Sequence, residues 1–126
     1  MFLGDSGSLP IGFVISFVLI YMANQNHAHH LLLAWSIVIF VYEFLSINII
    51  RLSNNKSLFT AGNDHLHHML YKKSKSIFIV NFFLVFLNSI LFLIGYFSFY
   101  LINSEVSAAL FIIFFLIFLF FWNKYS

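Results

Sequence analysis

Thr60-Ala-Gly-Asn-Asp-His-Leu-His-His-Met-Leu70 is a polar island with long apolar stretches on either side, and the reading of the whole chain turns on it. His65, His67 and His68 fall within four consecutive positions there, and Lys72, Lys73 and Lys75 follow. Leu31–Ile50 precedes the island and Ile77–Phe97 follows it. Each is close to the roughly 20 helical residues that cross a bilayer core about 30 Å thick. Further out lie Leu9–Ala23, which Ser6–Ser8 bring up to that range, and Ala108–Trp122. The pattern predicts spans at about 6–23, 31–50, 77–97 and 107–122, with a loop at 51–76. Pro10 falls in the expected first turn, where its missing N–H costs little. Ser98–Ser107 reads as a short turn around Glu105, and Trp122 and Tyr125 suit an interfacial belt.

Composition supports a membrane setting. The chain is 62% hydrophobic and 8% charged, with 19 Phe and a mean hydropathy of +0.97. A soluble domain carries about 25% charged residues to face water, so the solvent expected here is lipid. The fold class is an all-α integral membrane protein, one membrane domain over 1–126, with four transmembrane helices and a cytoplasmic histidine-containing loop. A net charge of +2 from so few ionisable groups does not suggest nucleic-acid binding. Absence of cysteine excludes disulfides and thiolate metal sites. No basic stretch precedes the first apolar run, so no cleaved signal peptide is expected.

Sidedness follows from the basic residues. With four spans, Asp5, the 51–76 loop and the C-terminus share one side, and Arg51, Lys56, Lys72, Lys73, Lys75 and Lys124 all fall there. Neither the Asn24–His30 nor the Ser98–Ser107 connection holds a Lys or Arg. Excess Lys and Arg marks the cytoplasmic side.

Three polar groups could carry chemistry. Gly4-Asp5-Ser6-Gly7-Ser8 places a carboxylate at a helix start among small residues. That arrangement suits a phosphate on free N–H groups with a Mg²⁺ it carries, or an ordinary N-cap. His65, His67, His68 and the nearby lysines suit an anionic ligand, or a solvated basic loop that only enforces topology. Glu43 interrupts the second span, where an ionisable group either serves a function or is satisfied by a neighbour. His27, His29 and His30 read as wetted interfacial residues rather than metal ligands.

Taken together, Met1-Phe-Leu-Gly-Asp-Ser-Gly-Ser-Leu-Pro-Ile-Gly-Phe13 and Asn55-Lys-Ser-Leu-Phe-Thr-Ala-Gly-Asn-Asp-His-Leu-His-His-Met-Leu70 resemble two motifs of the polyprenyl-phosphate N-acetylhexosamine-1-phosphate transferases, glycosyltransferase family 4. The likeness covers about residues 1–75, with the motifs in the family's order, spacing and sidedness. It implies transfer of a sugar-1-phosphate from a UDP-N-acetylhexosamine to polyprenyl phosphate, at the cytoplasmic face of the bacterial inner membrane. It also implies Asp5 as the ligand of Mg²⁺ (or Mn²⁺) and His65, His67 and His68 as catalytic residues on the nucleotide-sugar side. Ser6, Gly7, Arg51, Lys56, Asn63 and Asp64 would contact substrate. The family has roughly ten or eleven spans, and its paired aspartates have no counterpart here. Leu58 replaces a usual proline, Asn63 a frequent arginine, and Glu43 stands about where an aspartate is usual. The resemblance therefore implies a C-terminal portion, inactive alone, whose partners include the missing N-terminal part and a second copy of the chain, but no nucleic acid. The rival expectations are a small four-span transporter and a non-catalytic membrane subunit.

Overall fold

The computed structural model of the chain describes the backbone of residues 4–55 and 66–125, and the side chains of 10–55, 66, 70–72 and 74–123. Every regular element among the described residues is an α-helix: α1 (Gly4–Asn24), α2 (His30–Ser36), α3 (Val38–Ser53), α4 (Leu66–Ser74), α5 (Ile77–Leu101) and α6 (Ser104–Tyr125). Local chemistry sets the ends. His29 Nδ1 accepts the Leu31 N–H at 3.2 Å as the N-cap of α2, and Asn103 Oδ1 accepts the Val106 N–H at 2.7 Å to open α6. Asn26, Asn55 and Lys75 take positive φ just beyond α1, α3 and α4, the left-handed step that turns a chain out of a helix.

The helices suit a bilayer in both length and packing. Ile77–Leu101 and Ser104–Asn123 are long and apolar enough to cross a membrane, and α2 with α3 makes a third span if the bent pair is counted as one. The apolar part of α1, Pro10–Asn24, is shorter, about 22 Å at helical rise. Phenylalanines point outward (Phe78 is 80% exposed), while Ser46, Ser98, Ser107 and Gly95 are buried. A water-soluble fold cannot leave such continuous apolar surface open, whereas small residues at helix contacts are how membrane helices approach one another.

The core forms where α2 and α3 meet α5 and α6. Trp35, Val38, Ile39, Tyr42 and Leu91 make its buried cluster. The Trp35 indole lies so close to Gly95 that a Cβ on that residue would run into it, so only glycine fits. Trp35 Nε1 donates to Ser107 Oγ at 3.1 Å, and that hydroxyl donates to Gly95 O at 3.1 Å. Tyr42 Oη donates to Phe111 O at 2.6 Å. The Phe111 ring meets both Trp35 and Tyr42 edge-on, with centroids 5.0 Å from each.

Several expectations are corrected. The stretch expected as one span at 31–50 breaks at Ile37, and its two helices meet at 82°. Asn88 of α5 explains how the break survives: its Oδ1 accepts the Ile39 N–H at 3.3 Å and its Nδ2 donates to Ser36 O at 2.9 Å. Backbone groups freed at membrane depth need such partners. Pro10 lies inside α1 rather than in its first turn, because the helix begins at Gly4. Most of the expected Ser98–Ser107 turn is helical, leaving Ile102 and Asn103 as the connection. Ser98 Oγ and Ser107 Oγ both donate to Gly95 O, so these serines are spent within the bundle. Trp122 is buried and stacks on Phe118 at 5.5 Å rather than facing an interface. α3 continues to Ser53, past the expected loop start at 51, while the short helix Leu66–Ser74 fits the reentrant or short amphipathic element that the 52–75 loop allows.

Candidate functional site

α3 leaves the break carrying Glu43 and, two turns later, Arg51 in its last turn. Eight residues separate them, about 12 Å along the axis. Both are partly buried. Glu43 Oε1 accepts the N–H of Leu66 at 2.9 Å, and Leu66 stands at the described beginning of α4, just before His67. Glu43 thus supplies a carboxyl oxygen acceptor to α4 from a separate helix.

Apolar contact completes the docking of α4. Leu66 packs against the core cluster. Leu70 and Ser74 line a cavity of about 170 Å³ with Ile79, Val80 and Phe83 at the start of α5. The histidine-bearing helix therefore rests against the end of the bundle where α3 finishes and α5 begins. At the other end, His29 lies 4.8 Å from Phe99, which places the α1–α2 connection beside the last turns of α5.

The expected site residues are reached unevenly. By backbone, Asp5, Ser6 and Gly7 lie on α1 and His67 and His68 on α4, each near the beginning of the helix's described part. Their side chains, and Lys56, Asn63, Asp64 and His65 altogether, lie outside the described residues. Arg51 stands on α3, the helix that also holds α4 through Glu43. The main contact of α1 among the described residues is with α2, not with α4. No three His, Asp or Glu groups converge as metal ligands among the described side chains. His29, with its capping bond and its contact to Phe99, has an architectural part.

Two polar residues have parts that pattern alone does not assign. Asn88 stands out in sequence only as an amide inside an apolar helix, eleven residues after Ile77 and thirteen before Leu101. That mid-span position is its one signal. Glu43 stands out as a carboxylate within a span, but its partner, 23 residues away, cannot be read from spacing. No family model, curated protein or solved structure matches the chain.

Proposed function

We propose that this chain is the C-terminal part of a phosphoglycosyltransferase of the bacterial inner membrane. The enzyme moves a sugar-1-phosphate, N-acetylhexosamine-1-phosphate by the form of the histidine motif, from a UDP-sugar to polyprenyl phosphate. In the reaction an oxygen of polyprenyl phosphate attacks the sugar-bearing phosphorus. The bond from that phosphorus to the UMP oxygen breaks, and UMP leaves. The product is a diphosphate-linked sugar on the lipid, the first step of a cell-envelope glycan.

The observation that carries this reading is the pair of motifs, Gly4–Ser8 and Asn63–His68, in the family's order and, by the four-span reading, on one side of the membrane. Helix geometry supports it. Asp5, Ser6 and Gly7 lie on α1, and the free N–H groups of a helix N-terminus suit phosphate oxygens. α4, which carries His67 and His68, is fastened to α3 through Leu66 and Glu43. Asp5 would hold Mg²⁺, since one carboxylate plus substrate oxygens suits that ion; when bound, Mg²⁺ offsets charge on the phosphates. His65, His67 and His68 would line the nucleotide-sugar side. Arg51 and Lys56 would face phosphate charge, with Ser6, Gly7, Asn63 and Asp64 completing the substrate contacts. One aspartate and the histidine run cannot align phosphate, metal and acceptor, so the remaining carboxylates come from another part of the enzyme. The chain alone is inactive.

The test is an assay in membranes of cells expressing the chain alone, and of cells expressing it with the coding sequence upstream of Met1. It follows release of UMP and transfer of label from UDP-N-acetylhexosamine to polyprenyl phosphate, with and without Mg²⁺. The expected result is Mg²⁺-dependent transfer only in the longer protein, lost in Asp5→Asn and His68→Ala. No transfer in either would refute the proposal.

A further inference from the structure

We infer that Glu43 is a positioning residue, a carboxylate on a membrane helix that holds the histidine helix α4 onto the bundle and sets where His67 and His68 stand. The contact is direct, 2.9 Å from Glu43 Oε1 to the Leu66 N–H. It reaches Leu66, where the described part of α4 begins, next to His67. A carboxyl oxygen that accepts a backbone N–H from another helix ties the two helices together, and a hydrogen bond to a charged group is stronger than a neutral one. This bond offsets part of the cost of placing a carboxylate within a span.

The position of Glu43 fits the task. Its helix reaches the break at Ile37 on one side and ends at Ser53 on the other. The packed region of α3 runs up to Glu43: one turn before it the Ile39 N–H donates to Asn88, and the adjacent Tyr42 is fastened to Phe111. The carboxylate is therefore carried on rigid scaffold, whereas α4 has nine residues and a polar composition. Such a short helix is marginal by itself. Glu43 and the packing of Leu66 on the core give it a seat, beside the cavity that Leu70 and Ser74 line with α5. That the seated histidines meet a nucleotide-sugar rests on the transferase reading; the seating itself does not.

Hydrogen–deuterium exchange in lipid nanodiscs tests the inference, on the chain alone and, with and without added UMP, on the longer protein that includes the coding sequence upstream of Met1. Glu43→Ala is expected to speed exchange across Leu66–Ser74 by about tenfold or more, while α5 and α6 keep wild-type rates. Glu43→Gln, which keeps an oxygen able to accept from Leu66, restores most of the protection. Glu105→Ala, at the start of α6, leaves α4 unchanged. UMP slows α4 exchange in wild type and in Glu43→Gln but not in Glu43→Ala. Unchanged α4 exchange in Glu43→Ala, or equal loosening of α4, α5 and α6, overturns the positioning role. An α4-selective effect of Glu43→Ala with no response to UMP in any variant leaves Glu43 as the residue that seats α4 and counts against the transferase reading instead.

Discussion

Replacing Asn88 by leucine should straighten the broken span. Asn88 gives the bent form two hydrogen bonds, to Ser36 O and from the Ile39 N–H. A straight α2–α3 helix has no need of either, because its own i→i−4 bonds satisfy both backbone groups. Each interhelical bond of this kind contributes about 1 kcal/mol, so leucine shifts the balance toward the straight form by about 2 kcal/mol, about thirtyfold in population. Geometry makes the shift measurable. Spin labels at His30 and Ile49, both exposed, lie about 10 Å and 18 Å from Ile37 along their helix axes. With the observed 82° bend the two positions are about 22 Å apart, and along a continuous helix about 28 Å. Double electron–electron resonance in nanodiscs resolves that difference. Wild type should give the shorter distance, and Asn88→Leu a second, longer component or a full shift. An Asn88→Leu distribution that matches wild type would refute the claim that Asn88 maintains the break.

Other outcomes follow from the same core. Gly95→Ala forces a methyl group into the Trp35 ring and should destabilise the bundle by about 1–3 kcal/mol; tryptophan emission will shift and unfolding in mixed detergent will come earlier. Tyr42→Phe removes the 2.6 Å bond to Phe111 O and should cost about 1 kcal/mol in the same measurement, with no change in the His30–Ile49 distance. On the functional side, Asp5→Asn should abolish label transfer in the longer protein while leaving its unfolding midpoint where it was, since Asp5 lies at the far end of α1 from the α1–α2 connection. A lowered midpoint would indicate that Asp5 supports the fold instead.

Helical class and a membrane setting were legible in the chain from hydropathy alone. Backbone groups in lipid must be paired within the segment, so long apolar runs such as Ile77–Leu101 leave the helix as the only solution. The short polar junction near Asn24–His30 could also be read from its composition. The motifs that nominate Asp5 and the histidines are likewise a property of local sequence, and their side chains are where the described structure stops. Tertiary contact decided the rest. Nothing in His30–Ser53 contains Pro or Gly, the usual causes of a sharp kink; the break exists because an amide 49 residues from Ile39 meets it. Gly95 owes its importance to an indole from another helix, and Ser107 to a donor 72 residues away. Glu43 is conspicuous in sequence because charge is costly in lipid, but its partner is a backbone N–H, which every residue except proline carries. Periodicity and composition report what each segment does with its solvent. They do not report which segment it meets, because that depends on how several helices pack at once.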